Sequence, residues 1–320
     1  MKILVTGGTG FVGSALCKVL YSHGYKLHVA LRHAEDIALL PKSAVPFVVG
    51  DIDGQTDWTQ ALAGCEVVMH LAARVHIMQD AAKDPLTEYR KTNTEATLHL
   101  AEEAVKAGIK RFIFASSIKV NGEETSPGQP FTANDLPAPQ DPYGISKYEA
   151  ETGLMKLALQ TRMDVVIVRP PLVYGPGVKA NFETMLRWLA RGIPLPLGMV
   201  TNNRRSFVAL DNLVDLLIIC IEHPIAANQV FLASDGEDLS TAVLMEKMSK
   251  ALGKHPILLP VPPAILKAGA KMLGCMDAAQ RLLGSLQVDI SKTQALLGWS
   301  PPLSADEGFR QTAEAFLRKR

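Results

Sequence analysis

Through the first half of the chain, short runs of consecutive apolar residues alternate with longer stretches of helical spacing. The runs Lys2–Thr6, Leu27–Leu31, Phe47–Val49, Val67–Leu71, Arg111–Ala115 and Val165–Val168 are expected to be strands. Between them, Gly13–His23, Thr87–Ala107 and Lys147–Leu159 are expected to be helices. Continuous β-branched runs, without polar alternation, suit strands covered on both faces. Strand and helix in turn predict an α/β fold: a doubly wound parallel sheet of Rossmann type.

Beyond this the pattern loosens. Arg169-Pro170-Pro171-Leu172-Val173-Tyr174-Gly175-Pro176-Gly177 breaks the alternation and reads as a crossing between domains. Helices are expected over Asn181–Arg191, Leu213–Ile221, Thr241–Leu252 and Ala264–Leu273, with a strand at Asn228–Leu232. The expected division is residues 1–172 for a cofactor-binding domain and 173–320 for a smaller substrate lobe, part of 206–232 returning to the first domain.

Composition narrows the class. The 320 residues carry 33 Lys+Arg against 32 Asp+Glu, a formal charge of +1, which lacks the basic footprint of a nucleic-acid binder. With 48% hydrophobic and 20% charged residues the chain is not of disordered type. No apolar run reaches the ~18 residues of a membrane span, and the start has no signal-peptide core, so a soluble cytoplasmic protein is expected. Cys17, Cys65, Cys220 and Cys275 lie far apart without a C-x-x-C pair, and no His/Cys spacing suggests a metal.

Thr6-Gly7-Gly8-Thr9-Gly10-Phe11-Val12-Gly13 lies between the first strand and the first helix. Missing Cβ atoms let such a loop turn tightly and approach a pyrophosphate at the helix N-terminus. Gly7, Thr9, Gly10, Phe11, Val12 and Gly13 are therefore candidate contacts of a dinucleotide. Arg32 ends the second strand where an NAD site usually has an acid, so its guanidinium could pair with a 2′-phosphate. NADP(H) is the expected cofactor, with NAD(H) the alternative if Arg32 is merely solvated. Asp51 and Ile52 follow the third strand and could hold the adenine edge. Leu71, Ala72 and Ala73 follow the fourth, where small residues let the cofactor pass closely.

Tyr143-Gly144-Ile145-Ser146-Lys147 places a tyrosine and a lysine on one helical face. A phenol of pKa ~10 needs a neighbouring cation to act as a base near neutrality. Ser117, just past the strand Arg111–Ala115, would hydrogen-bond a substrate oxygen. Ser117, Tyr143 and Lys147 are the candidate catalytic residues.

With these motifs the chain resembles the extended short-chain dehydrogenase/reductase family, in its nucleotide-sugar epimerase/dehydratase branch. The resemblance also rests on His70–Ala73, Ser116-Ser117, Arg169–Gly177 and Leu297-Gly298-Trp299-Ser300-Pro301. It implies a UDP-sugar substrate, a homodimer, and a small C-terminal lobe for the nucleotide sugar. It places Asn93, Ala115, Ser116, Pro170 and Val173, besides Tyr143 and Lys147, beside the cofactor. It places Ser117, Asn181, Leu195, Leu197 and Arg205 at the substrate, Arg205 on the diphosphate. Leu195 and Leu197 have plain packing as the competing reading, Asn181 a helix N-cap, and Arg204-Arg205 a solvated turn.

Sugar 4,6-dehydratases carry an acidic pair after the active-site hydroxyl, whereas Ser117 is followed by Ile118-Lys119-Val120-Asn121-Gly122. Dehydration is thus not expected. From Arg169 to Ser240 the chain resembles bacterial UDP-sugar reductases and epimerases of polysaccharide pathways, and that resemblance implies NAD(P)H-dependent reduction of a UDP-4-keto-6-deoxy-N-acetylhexosamine. The alternative is a UDP-hexose or UDP-N-acetylhexosamine 4-epimerase with tightly bound NAD. A cofactor-sensing protein without turnover is the rival from another class, and the presence of Tyr143 and Lys147 speaks against it.

Overall fold

The computed structural model describes residues 1–75, 84–126 and 128–318. The first half runs β1 (Lys2–Thr6), α1 (Phe11–Ser22), β2 (Lys26–Leu31), β3 (Val45–Val48), α2 (Thr59–Leu62) and β4 (Val67–His70). It continues with α3 (Pro85–Tyr89), α4 (Ala96–Lys106), β5 (Arg111–Ala115), α5 (Pro142–Gln160) and β6 (Asp164–Arg169). Then follow β7 (Leu172–Tyr174), α6 (Ala180–Ala190), β8 (Arg205–Ala209), α7 (Leu210–Glu222), β9 (Gln229–Leu232) and β10 (Asp238–Leu239). The chain closes with α8 (Thr241–Ala251), α9 (Pro263–Met272), α10 (Met276–Leu283), α11 (Ser291–Leu297) and α12 (Ala305–Arg318).

Seven strands form one sheet in the order β3-β2-β1-β4-β5-β6-β9, every pairing parallel. Apolar side chains emerge from both faces, as their unbroken runs predict. On one face Ile3, Val5, Val29, Met69, Ile113 and Val166 meet Leu16 and Leu20 of α1 and Leu213, Leu217 and Cys220 of α7. On the other, Leu4, Val68, Phe112, Phe114 and Ile167 meet Leu100 and Ala104 of α4 and Leu154 of α5. Each such side chain contributes about 1.5–3 kcal/mol by leaving water.

A third cluster lies apart from these two. Tyr174, Phe182, Leu186, Phe207, Leu244, Met245 and Phe309 pack around a second sheet ordered β10-β8-β7. β8, α10, α11 and α12 were not expected from the sequence, because their apolar positions are few or widely spaced. Among the described residues no helix is long and apolar enough to cross a membrane.

Two local departures matter for the site. The helix expected over Thr87–Ala107 is instead α3, a π-helical turn at Arg90–Glu95, and α4. That wider turn carries Asn93 into the interior, fully buried. The helix expected from Lys147 begins at Pro142, so Tyr143 stands in its first turn. Asp141 caps it, its side chain accepting from Gly144 N–H at 2.6 Å, and proline follows at the first helical position.

Candidate active site

The order of the central sheet reverses at β1, whose neighbours are β2 on one side and β4 on the other. At such a switch point the loops leaving the strands part and open a crevice. The glycine loop leaves β1 there. Gly7 has φ +68°, and a Cβ on it would come within 2.7 Å of Ala72 N. Gly13 has no room either, since its Cβ would lie 2.1 Å from Gly7 O. The loop is thus pressed between the start of α1 and the segment after β4.

No side chain caps α1, and the first bond within it runs from Ser14 N–H to Gly10 O at 2.9 Å. The N–H groups of Phe11, Val12 and Gly13 therefore point out of the helix end, the arrangement that receives a phosphate. Thr9 sits partly buried at the same turn, and Gly10 is exposed. This donor set and the space left by missing Cβ atoms fit a dinucleotide.

Beneath the loop lies a buried polar chain. Thr6 Oγ1 accepts from Ala72 N–H at 3.1 Å and stands 2.7 Å from His70 Nδ1. His70 Nε2 lies 2.9 Å from Thr97 Oγ1. If the Thr6 hydroxyl proton goes to Nδ1, Nε2 carries the ring proton and donates to Thr97, a neutral tautomer. Burial, and then the charge of Lys147, lower His70 to about 3, in keeping with that form. This chain holds the backbone of Ala72 against Gly7.

Asn93 braces the same segment further along. Its Oδ1 accepts from Arg74 N–H at 2.8 Å, and its Nδ2 donates to Arg74 O and to Ser146 Oγ, each at 3.0 Å. The loop after β4 is thereby tied to α5. Leu71 packs against the first core cluster, and Ala72 and Ala73 stay partly buried beside the glycines.

On α5, the side chains at 147, 150, 151, 154 and 158 form the stripe that faces the sheet, and two of those positions are charged. Lys147 is buried; its Nζ donates to Ala115 O at 2.8 Å and lies 4.3 Å from the Phe114 ring centroid. Burial lowers Lys147 to about 7, and the carboxylate of Glu151 pulls the other way. Tyr143, one turn earlier, is partly buried, its ring edge-on to Tyr89 at 6.1 Å. Desolvation raises its phenol, Asp141 adds to this, and a hydrogen bond with the Ser117 side chain opposes it. Ser117, Tyr143 and Lys147 thus converge past the end of β5.

Ser116 and Pro170 complete that wall. Ser116 N–H donates to Val168 O at 2.8 Å, and Ile118 N–H to Pro170 O at 3.0 Å. The Ser116 hydroxyl bonds Glu151, which is held by Arg169 Nε at 2.9 and 3.1 Å. Arg169 Nη1 donates to Asn121 Oδ1 at 2.9 Å, and Asn121 Nδ2 to Thr132 O at 2.8 Å. Val173 lies on β7, paired with Val208 of β8. Glu151, Arg169 and Asn121 had no signal as a unit in the sequence, since their meeting depends on α5 lying over β6.

Arg32 directly follows β2, and its Nε pairs with Asp51 Oδ1 at 2.8 Å, both side chains largely exposed. Ile52, next to Asp51, packs partly buried against the second core cluster.

Arg205 opens β8 rather than standing in a solvated turn, and its Nη1 donates to Gly284 O at 3.3 Å. Burial lowers it, with Glu124 opposing and the charge of Arg281 adding. Arg281, on α10, is a second cation at this place that sequence reading missed. Asn181 is exposed in the first turn of α6, whose N-cap is Lys179, so it is not the cap. Leu195 and Leu197 are buried in the third cluster, and Leu195 bridges to Leu258.

A glycine loop with free N–H groups at the start of α1, with a Tyr–Lys pair and a serine at the ends of a parallel sheet, is the pattern of an enzyme of extended short-chain dehydrogenase/reductase type. The chain belongs to the NAD dependent epimerase/dehydratase family, which it matches over residues 3–233. It is 52% identical over 320 residues to a UDP-glucose 4-epimerase of Vibrio cholerae, covering 99% of this chain and 96% of that protein. It also resembles the crystal structure of a UDP-glucose 4-epimerase of Thermotoga maritima with UDP-glucose, at TM-score 0.79, 26% identity, and coverage of 100% and 99%. A UDP-glucuronic acid 4-epimerase of Bacillus cereus with NAD shares the fold, at TM-score 0.79 and 23% identity over 100% and 99% of the chains.

These likenesses overturn the expected 4-ketoreductase: a relative matching over half of all positions, end to end, is a 4-epimerase. The reductase expectation leaned on Arg32. Read alone it is a phosphate partner; with Asp51 on its guanidinium, a 2′-phosphate would also meet a carboxylate.

Proposed function

We propose that this chain interconverts the C4 epimers of a UDP-hexose or UDP-N-acetylhexosamine, with NAD retained through the cycle. The observation that carries this reading is the 52% identity to the Vibrio cholerae UDP-glucose 4-epimerase along the whole chain. In this reading residues 1–172, joined by α7 and β9, hold the cofactor, and the third cluster with its small sheet holds the nucleotide sugar. NAD(H), rather than NADP(H), is the cofactor, because the Arg32–Asp51 pair offers both charges to the adenosine ribose.

Bound NAD supplies a reversible hydride acceptor, and its positive ring favours a nearby phenolate. Tyr143 takes the proton from the sugar C4 hydroxyl and later returns it to the oxygen of the keto sugar. Ser117 donates to that oxygen and stabilises its charge. Lys147 presents a cation beneath the site and holds the nicotinamide ribose. The glycine loop takes the pyrophosphate, while Ile52, Ala73 and Pro170 line its course. Arg205 and Arg281 together take the substrate diphosphate, Asn181 reaching it from α6. Leu195 and Leu197 support the base through their backbone, their side chains being used in packing. Two copies pair in solution.

The test uses protein purified without added nucleotide. Incubation with UDP-glucose, and separately with UDP-N-acetylglucosamine, should form the C4 epimer to a steady ratio, read by NMR. The denatured protein should release NAD(H). Stoichiometric oxidation of added NADPH, or no epimer from either sugar, would overturn the reading.

A further inference from the structure

Two residues after Ser117, a lysine occupies the turn that leads away from β5. Its backbone N–H donates to Ser117 Oγ at 3.2 Å, so the residue helps set the serine's rotamer. Its Nζ bonds Asp141 and lies 3.2 Å from Glu123 Oε1. Asp141 is the cap of α5, two residues before Tyr143. The two segments touch at a second point: a Cβ on Gly144 would meet Lys119 O at 2.8 Å. One residue therefore joins both carriers of the reacting groups.

We propose that Lys119 is a positioning residue for the reaction: its ammonium ties the Ser117 turn to the first turn of α5 and offsets the Asp141 carboxylate beside the Tyr143 phenol. Among the described residues, the charged and titratable groups around that phenol are few. Asp141 and Lys147 come from its own helix, and Tyr89 from α3, with Arg74 over the Tyr89 ring at 5.5 Å. Ser117, from the turn after β5, adds a hydroxyl. Burial raises the phenol most, the charge of Asp141 comes next, and Tyr89 adds less. A base must lose its proton near neutrality, so an uncompensated carboxylate there hinders the step. Lys119 answers that charge by its bond to the Asp141 carboxylate. The proposal rests on the role given above to Tyr143.

The experiment compares wild type with Lys119→Met, Lys119→Arg, Asp141→Asn and the double variant Lys119→Met/Asp141→Asn. The readouts are the pH profile of kcat for UDP-glucose and, without substrate, ultraviolet difference titration of the phenolate against Tyr143→Phe in holoenzyme. Lys119→Met should move the acid limb up by about one unit, so that kcat at neutral pH falls about tenfold with KM little changed. Lys119→Arg should keep the wild-type limb, and Asp141→Asn, in which asparagine still caps the helix, should lower it. The double variant should bring the limb back to its wild-type position.

A merely structural link would lower kcat in Lys119→Met without moving the limb, and the double variant would be no better; that result overturns the proposal. Should Lys119→Met fail to fold, Asp141→Asn decides alone, since an unmoved limb there is equally fatal. If neither UDP-glucose nor UDP-N-acetylglucosamine is a substrate, the functional reading fails while the phenolate titration still judges Lys119. If Tyr143→Phe keeps full activity, the assigned base is wrong whatever Lys119 does.

Discussion

Two charged side chains stand one turn apart on α5, both facing the sheet, and the protein treats them differently. Glu151 is held by Arg169 through two bonds of 2.9 and 3.1 Å and by the Ser116 hydroxyl, while Arg169 bonds Asn121. Lys147 has one carbonyl, Ala115 O at 2.8 Å, and the face of Phe114. The carboxylate that acts on it is Glu151, which Arg169 already engages. The first charge is answered in place and anchors β6, β5 and α5. The second is left under-compensated, and burial brings it down to about 7. A group held near its titration point, in a crevice, is available for chemistry; a fully paired one serves architecture.

Lys147→Met breaks the contrast most strongly. Turnover should fall by a factor on the order of 10²–10⁴, because the cation beneath the phenol is lost. Stability of cofactor-free protein should move the other way. Between the folded value of about 7 and the ordinary lysine range, the unfolded chain binds a proton that the folded chain lacks. Wild-type stability therefore rises with pH across that window. The variant lacks this slope, so its advantage in melting temperature should be largest near and below neutrality and vanish toward pH ~10. Parallel rate and melting measurements over the same pH range check both halves, and a variant less stable than wild type at neutral pH would refute the second.

Glu151→Ala probes the paired charge. It leaves Arg169 buried without its partner, a change that costs about 3–5 kcal/mol. Urea denaturation should show the loss, and because Glu151 favours the Lys147 cation, the molecules that remain folded should turn over more slowly at and above neutral pH, though less so than Lys147→Met. A large fall in kcat with unchanged stability would reverse the roles given to the two side chains.

Arg205→Ala extends the comparison to a desolvated cation in the other half of the chain. Burial lowers its guanidinium, with the charge of Glu124 opposing and that of Arg281 adding. Its loss should raise KM for the UDP-sugar about tenfold to a hundredfold with kcat little altered. An unchanged KM would place the diphosphate elsewhere.

Arg32→Ala is the smallest effect. Its pair with Asp51 is largely exposed, and such pairs contribute about 0–1 kcal/mol. Melting temperature should barely move, and NAD should remain in the purified protein. Loss of all retained nucleotide would give Arg32 a larger part than an exposed pair can supply.

What could be read from the sequence was local. β1, β5 and β6 announce themselves as unbroken apolar runs, the glycine loop by its place between strand and helix, and Tyr143 and Lys147 by their spacing. Asp141-Pro142 was a readable cap and first helical residue, and it moves the start of α5 ahead of Tyr143. The remainder depends on which strands become neighbours. Asp51 reaches Arg32 because β3 pairs with β2, and Arg169 reaches Glu151 because α5 lies over β6. Arg281 acts on Arg205 only once α10 has folded back to β8. The expected NADP preference, which the comparisons do not support, came from reading one partner of such a pair without the other.

The late arrival of β9 at the edge of the large sheet bears on how the chain is made. Val166 to Arg169 pair with Gln229 to Leu232, so β6 stays an open edge until more than sixty further residues have left the ribosome. Over the same interval the apolar face destined for α7 is bare. Such a non-local closure is slow and exposes a sticky intermediate during synthesis. Nascent chains stalled between β6 and β9 should therefore be the ones that call on chaperones, and a fragment ending at residue 172 should aggregate where the full chain does not.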